Sequence, residues 1–363
     1  MKLRPTLLWL HRWVGVVSAV FLLLIALTGC ALIFENALDR RLNASLAYVT
    51  PQDTRLALQT LVERTGAALP GVRVGSVRVD PEPSFATSLS LSNRLTAFVN
   101  PYTGELLGTR DTQQGLARNI HLLHTRFMAG YAGELFVGWL TVLTLAMSIS
   151  GIYLWWPRQI FVVGRYSSWR RANFDLHSVL GLWASGLIFL ISLSGIIIAF
   201  EKTTDPLILK MNPGPAPTFD RLKSTPVPGG QRITVDQALA AATAALPGAA
   251  VSNISLPAKP TDIYRLTAKF PEDRTPAGRS RLYIDQFSGA VLGLESTRSA
   301  PAGTRLLNLK RSAHTGDIIG TPSQVLYFIG SLALTGQIVS GVLIWWKPKR
   351  KAATAAGRQT SVA

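Results

Sequence analysis

The sequence predicts an α-helical membrane protein with four transmembrane helices formed by internal duplication and two α+β domains outside the bilayer. Three observations carry this. Trp13–Phe34, Leu135–Trp156, Ser178–Phe200 and Val325–Trp346 each run about 22 residues without a charge. At about 1.5 Å per residue, each reaches roughly 33 Å, enough to cross a hydrocarbon core of about 30 Å. Repeats at long offsets tie the first pair of runs to the second, and alternating stretches fill the two long connections.

Composition agrees with a membrane protein. Of 363 residues, 48% are apolar and only 16% charged, below the quarter or so usual in soluble domains. Lys2, Arg4 and Arg12 precede the first span, and Arg158, Arg165, Arg170 and Arg171 fill the short link between the second and third. Lys347, Lys349, Arg350 and Lys351 follow the fourth. The positive-inside rule puts both termini and the middle link in the cytoplasm, leaving roughly 36–130 and 202–322 outside. The net charge of +17 therefore calls for membrane lipid and no nucleic acid.

The chain reads as two copies of one unit. An offset of 166 carries His11 onto His177, Gly15 onto Gly181, Gly29 onto Gly195 and Glu35 onto Glu201. An offset of 190 carries His124-Thr125 onto His314-Thr315, Gly130 onto Gly320, Ser150-Gly151 onto Ser340-Gly341, and Trp155-Trp156 onto Trp345-Trp346. Each half has an even number of crossings, so the halves are parallel repeats about an axis along the membrane normal. In the connections, "AALPG" recurs at Ala67–Gly71 and Ala244–Gly248, after amphipathic stretches expected to be helical at about 53–69 and 234–246. "VRVGSVRV", "TSLSLS" and "LTAFVN" in the first copy, and "DIYRLTAKF" and "SRLYID" in the second, alternate like strands. "NPYTGELLG" and "DQFSGAVLG" read as hairpin turns, so each external domain is expected to be a helix on a small antiparallel sheet. Met211–Asp220 is a Pro-rich linker, and 352–363 reads as a disordered tail.

Four of the five histidines fall on equivalent positions at span edges. One such histidine is ordinarily an interfacial side chain with its tip among headgroups; a symmetric set points to a shared ligand role. The duplication pairs His11 with His177 at the cytoplasmic side and His124 with His314 at the external side. Two imidazoles alone make a poor zinc site, which wants four ligands, whereas two trans imidazoles suit the axial positions of a b-type haem. Gly15 and Gly29 share the His11 face, as Gly181 and Gly195 share that of His177, leaving room for a flat macrocycle; small residues also line any helix interface in a membrane. Arg12, Arg126, Lys310, Arg311 and Arg171 stand close in sequence to the histidines and are candidate partners for propionates. His121 has no counterpart and reads as an alternative ligand, a proton donor or an interfacial side chain. The Trp pairs read as interfacial belts.

"LHRWVG" with "LTG" in the first span, "LLHTRFMAG" and "SGIYLWWPR" in the second, "LHSVLGLW" in the third and "SGVLIWWKP" in the fourth together resemble the PepSY-associated transmembrane family. Those are bacterial inner-membrane proteins, often iron-regulated, and within the family the chain is similar to the ferric-siderophore reductases of the ferrioxamine type. The resemblance covers nearly the whole chain. It departs around His314, where "SAHTGDIIG" replaces the "LH" pattern. It implies two haem b groups with His11, His177, His124 and His314 as axial ligands, Gly15, Gly181 and Arg126 beside them, and reduction of a ferric siderophore in the periplasm. The expected organisation is a transmembrane helix over 1–36, a periplasmic PepSY-like domain over 37–118, and a histidine segment with the second helix over 119–157. A cytoplasmic link over 158–172, the third helix over 173–201 and a second PepSY-like domain over 202–305 follow. The chain ends with a histidine segment and fourth helix over 306–347 and a cytoplasmic tail over 348–363.

No nucleophile, paired-carboxylate or GxGxxG pattern is present, so an electron-transferring reading needs a separate donor, a quinol or a cytoplasmic reductase. The competing reading is non-enzymatic: a membrane regulator or sensor using its PepSY-like domains as protein-binding or protease-inhibiting modules. A copper transporter would want methionine-rich or CxxC sequence, which the chain lacks. Cys30 is the one cysteine, so there is no disulfide framework and no CxxCH attachment. Its setting, "LTGC", resembles a lipoprotein processing site, and cleavage there would discard His11. Apolar sequence continues through "ALIFENAL", and the equivalent stretch before Ile196 reads "LSG" with no cysteine. The intact mass of the purified protein should therefore be that of the uncut chain.

Overall fold

The computed structural model describes residues 3–156, 161, 168–211 and 219–346. The helices are α1 Leu3–Ile33, α2 Glu35–Leu42, α3 Ala44–Ala47, α4 Leu58–Ala68, α5 Leu116–Arg126, α6 Gly130–Trp155, α7 Trp169–Ala199, α8 Glu201–Met211, α9 Val235–Ala245, α10 Ala302–Thr315 and α11 Thr321–Trp346. The strands are β1 Val74–Arg78, β2 Thr87–Leu91, β3 Thr96–Val99, β4 Leu106–Arg110, β5 Ala250–Ser255, β6 Ile263–Lys269, β7 Ser280–Asp285 and β8 Val291–Glu295. Arg158, Arg165, Lys347, Lys349, Arg350 and Lys351, most of the Pro-rich linker and the tail lie outside the described residues.

Four helices, α1, α6, α7 and α11, are long and apolar enough to cross a membrane. They close into a ring in which α1 packs on α6 and α11, and α7 packs on the same two. The burial pattern is the reverse of a soluble bundle. In α1 the inward residues are Ser18, Ala19, Leu22, Ala26 and Thr28, while Val17, Val20, Leu24 and Leu27 point out. In α7, Ala184, Ser185, Ser192 and Ser194 are buried and Trp183, Phe189, Leu190 and Leu193 are exposed. Where lipid solvates the outside, aliphatic side chains gain nothing by hiding, so small and hydroxyl residues take the helix contacts.

The connections leave at the C-terminal ends of α1 and α7 and return at the N-terminal ends of α6 and α11, so everything between stands at one end of the bundle. The expected helices and strands form there. Gly104 and Gly289 sit in the two hairpin turns at φ 72° and 74°, a left-handed conformation that glycine adopts without penalty. The sequence reading had two separate small sheets. They are instead joined edge to edge as one eight-stranded antiparallel sheet, in the order β4-β3-β2-β1-β5-β6-β7-β8. The seam pairs Ser76, Val77 and Arg78 with Ser255, Ile254 and Asn253. Val77 and Ile254 are fully buried there. Leu58, Val62 and Leu256 pack on the apolar clusters of both sides, so one continuous core runs beneath the seam.

Two helices lie on this sheet, and each caps the other. The Asp236 carboxylate at the start of α9 accepts the backbone N–H groups of Leu58 and Gln59, both at 2.9 Å, at the start of α4. In return Gln59 Oε1 accepts the Val235 N–H at 3.1 Å. A capping box of Thr234 and Gln237 completes the α9 terminus. Negative charge on open N–H groups of a helix start is favourable twice over, as hydrogen bond and as dipole partner. Asp236→Ala strips α4 of both bonds and should cost about 1–2 kcal/mol, read as a lower unfolding midpoint of the solubilised protein with its secondary structure unchanged.

Candidate functional site

The bundle holds its histidines in two groups, one at each end. His124 on α5 and His314 on α10 lie at the sheet end, where α5 packs on α1 and α10 packs on α7. Their ring centres are 6.2 Å apart with planes at 49°. His11 on α1 and His177 on α7 lie toward the far end. Along α1, 17 residues separate His11 from Thr28, the side chain that meets His124, which places the two groups about 25 Å apart in depth.

Every one of the four rings is held through Nδ1 by the neighbouring helix of its own half. His11 Nδ1 meets Ser150 Oγ at 2.8 Å, and His177 Nδ1 meets Ser340 Oγ at 2.9 Å. His124 Nδ1 lies 3.0 Å from Thr28 Oγ1 and 3.1 Å from the Ile25 carbonyl. His314 Nδ1 lies 3.4 Å from Ser194 Oγ and 3.0 Å from the Ile191 carbonyl. Nε2 makes no hydrogen bond in any of the four among the described residues, so each ring is anchored on one nitrogen and free on the other.

Glycines make space for these rings. A Cβ on Gly29 would meet His124 Cε1 at 3.2 Å, on Gly151 His11 Cε1 at 3.4 Å, on Gly195 His314 Cε1 at 3.0 Å, and on Gly341 His177 Cε1 at 3.2 Å. The sequence reading had placed Gly29 and Gly195 with His11 and His177; the structure sets them against the other pair of imidazoles. A Cβ on Gly15 would come within 3.0 Å of Met147 Cε, and one on Gly181 within 2.9 Å of the Gln337 amide. Gly15 and Gly181 thus keep α1 narrow against α6 and α7 narrow against α11, one turn from His11 and His177.

Burial keeps the sheet-end rings neutral. It holds His124 at about 3, with the like charge of His314 acting the same way and the Ile25 carbonyl opposing. Burial also pushes His314 down, against the Ile191 carbonyl and with the Arg311 charge. Neutral imidazole is the form that ligates. His121 is likewise lowered, first by burial and then by Arg311, Arg118 and Arg126, against the pull of Glu35. Of the candidate cations, Lys310 bonds Asp205 at 2.7 Å and Glu201 at 3.3 Å, Arg126 bonds Glu134 at 3.0 Å, and Arg171 bonds Asp175 at 2.7 Å. Arg12 lies over Trp13. Arg311 differs, because its charge reaches His121, His314 and also Arg279 on the sheet.

The donor set decides what such pairs can hold. With metal–imidazole bonds of about 2 Å and each nitrogen about 1 Å from its ring centre, two rings gripping one ion from opposite sides stand about 6 Å apart. The sheet-end pair is at that spacing. Among the described residues no group of three or more His, Cys, Asp or Glu is placed to hold a metal ion. Two imidazoles therefore fit an ion whose remaining ligands come with it, as a haem iron's do from its porphyrin.

The model of the PepSY-associated TM region matches residues 8–347, from the first span to just past the fourth. The chain belongs to that family. In this PepSY-associated protein the matched region takes in all four histidines and all four spans. No curated protein matches the chain.

The sequence reading missed the hydroxyls. Ser150 and Ser340 had served only as markers of the repeat, and Thr28 and Ser194 went unnoticed inside "LTG" and "LSG". It also missed the turn after α5, where Phe127 and Met128 adopt φ 45° and 59°. Left-handed backbone at bulky residues costs about 1–3 kcal/mol each and is held in place by surrounding structure. This turn reverses the chain from α5 into α6 directly beside His124. Met128→Gly relieves that backbone and should leave the unfolding midpoint of the solubilised protein unchanged or raised, whereas Met128→Val should lower it.

Proposed function

We propose that this protein is a haem-containing reductase of the bacterial inner membrane that passes electrons across the bilayer to reduce ferric siderophores in the periplasm. The observation that carries the reading is the approach of His124 and His314, with 6.2 Å between their ring centres, at one end of a membrane bundle whose other two histidines, His11 and His177, stand about 25 Å away in depth. His11 with His177, and His124 with His314, would each hold one haem b. The haem supplies a one-electron couple between ferric and ferrous iron. Gly15 and Gly181 keep the helices slim beside the first pair, and Arg311 with Arg126 supplies positive charge near the second. The basic flanks set the topology, with both termini in the cytoplasm and the sheet in the periplasm.

The same reading makes the chain a duplicated unit with two PepSY-like domains over 37–118 and 202–305. The seam supports it. Both "AALPG" segments are related by an offset of 177, and that offset carries Val77 onto Ile254, its own partner across the seam. It also carries Gln59 onto Asp236, the two residues that cap each other's helices.

The substrate end follows from charge. Burial and the like charges of Arg281 and Arg311 leave Arg279, just before β7, in want of an anion. Anionic iron complexes would be drawn there. Reduction releases the metal because ferrous iron, with lower charge, binds hard anionic oxygens more weakly. The donor is a separate quinol or cytoplasmic reductase.

Protein purified from haem-replete cells should carry a dithionite-sensitive b-type absorption with two haems per chain. His124→Ala or His314→Ala should remove one of them and stop reduction of ferric siderophore at the periplasmic face; His11→Ala or His177→Ala should remove the other. A colourless wild-type protein would overturn the reading in favour of a regulator without redox chemistry.

A further inference from the structure

Each transmembrane helix sets a hydroxyl–glycine dipeptide against a histidine: Thr28-Gly29 in α1, Ser150-Gly151 in α6, Ser194-Gly195 in α7 and Ser340-Gly341 in α11. Each dipeptide serves one histidine, and the histidine comes from the neighbouring helix. The hydroxyl touches Nδ1, and the next residue is the glycine that leaves room for Cε1 of the same ring. Such a seat meets an imidazole edge on and leaves its opposite nitrogen facing away from the seat.

The direction of the hydroxyl proton decides what the seat does. Ser150 donates to the Met147 carbonyl at 3.1 Å and Ser340 to the Gln337 carbonyl at 3.0 Å. Thr28 donates to Leu24 at 2.6 Å, with Ile25 at 3.0 Å, and Ser194 donates to Leu190 at 2.7 Å, with Ile191 at 3.0 Å. A serine or threonine has a single O–H, and in each case it is spent on the helix's own backbone. The oxygen can then only accept from the ring. We infer that these four hydroxyl–glycine dipeptides are positioning residues that lock each histidine in its Nδ1–H tautomer and so present Nε2 as a ligand. This rests on the haem reading for its purpose, though not for its geometry.

The rings are locked unequally. At the sheet end a backbone carbonyl, Ile25 or Ile191, also receives Nδ1–H, and a carbonyl has nothing to donate. His124 and His314 therefore keep the tautomer if the hydroxyl is removed. For His11 at the far end, Ser150 is the only partner of Nδ1 among the described residues. His11 depends on it entirely. A merely structural hydroxyl would show no such division.

The test uses full-length protein in lipid nanodiscs with 15N-labelled histidine, expressed without haem, so that ring-nitrogen shifts report tautomers directly. Wild type should show Nδ1–H in all four rings. Ser150→Ala should release His11 to the Nε2–H form. On titration with haem it should lose about 10- to 100-fold in affinity at that one site. Thr28→Ala and Ser194→Ala should keep Nδ1–H and lose less than about tenfold. Ser150→Thr, which restores an acceptor of the kind that Thr28 already supplies, should recover both readouts. Nε2–H rings in haem-free wild type, or Ser150→Ala with His11 unmoved, would overturn the inference whether or not haem binds. A wild type that shows the Nδ1–H rings but takes up no haem would sink the haem reading and leave the tautomer lock standing.

Discussion

A neutral imidazole set inside an apolar bundle has two nitrogens to satisfy and no water to do it, and the architecture follows from how that is managed. An unpaired buried N–H costs about 1–3 kcal/mol, so a histidine can enter such a place only if a partner is waiting. Each half provides one by laying a small, hydroxyl-bearing stretch of one helix against the ring of another. The same small residues that allow helices to approach closely in lipid also make room for the ring. Four seats of one design then leave four Nε2 lone pairs, and at the sheet end two of them belong to rings 6.2 Å apart. The remaining need of those nitrogens is what makes the bundle a site as well as a scaffold.

The sheet solves a different problem by related means. Two half-domains, each a helix on four strands, would expose a long strand edge apiece, and exposed edges invite pairing with foreign chains. Joining β1 to β5 buries one edge from each, with Val77 and Ile254 sealed at the seam. The cross-capping of α4 and α9 through Asp236 and Gln59 draws the halves together at the level above. Ion pairs then tie the sheet to the helices that rise from the bundle: Arg110 grips Asp39 of α2 with both terminal nitrogens at 2.8 and 2.7 Å, and Arg40 of α2 holds Asp80 at 2.9 Å. Each of these is partly exposed and worth under about 1 kcal/mol alone.

Much of this was legible in the sequence, for reasons that differ by element. The spans showed because hydropathy over about 20 residues integrates many weak signals into one. The histidines showed because the two offsets put them at matching depths. What failed to show was whatever depended on contact between distant segments. "AVSNIS" gave β5 little alternation to detect, since only Ile254 is fully buried within it, and nothing local marks it as the partner of a strand some 175 residues earlier. The hydroxyl seats hid in plain residues: a serine before a glycine in a transmembrane helix is ordinary packing until the opposing ring is known. Thr28 stands in "LTGC", a pattern that resembles a processing site and carries no mark of the ring it meets. Phe127 and Met128 carry no glycine or asparagine to announce left-handed backbone.

On the proposed duplication, parallel repetition is what would let imidazoles pair. With an even number of crossings per half, the relating axis would run along the bundle, so a residue and its copy would lie at the same depth. An inverted repeat would send the copy of His11 to the opposite face, and no histidine could meet its own equivalent. The seam obeys the same axis, because Val77 meets Ile254, the position that its own offset predicts. On the proposed duplication, a residue chosen once near such an axis is supplied twice to the same place, as Val77 with Ile254 at the seam and His124 with His314 at the sheet end are.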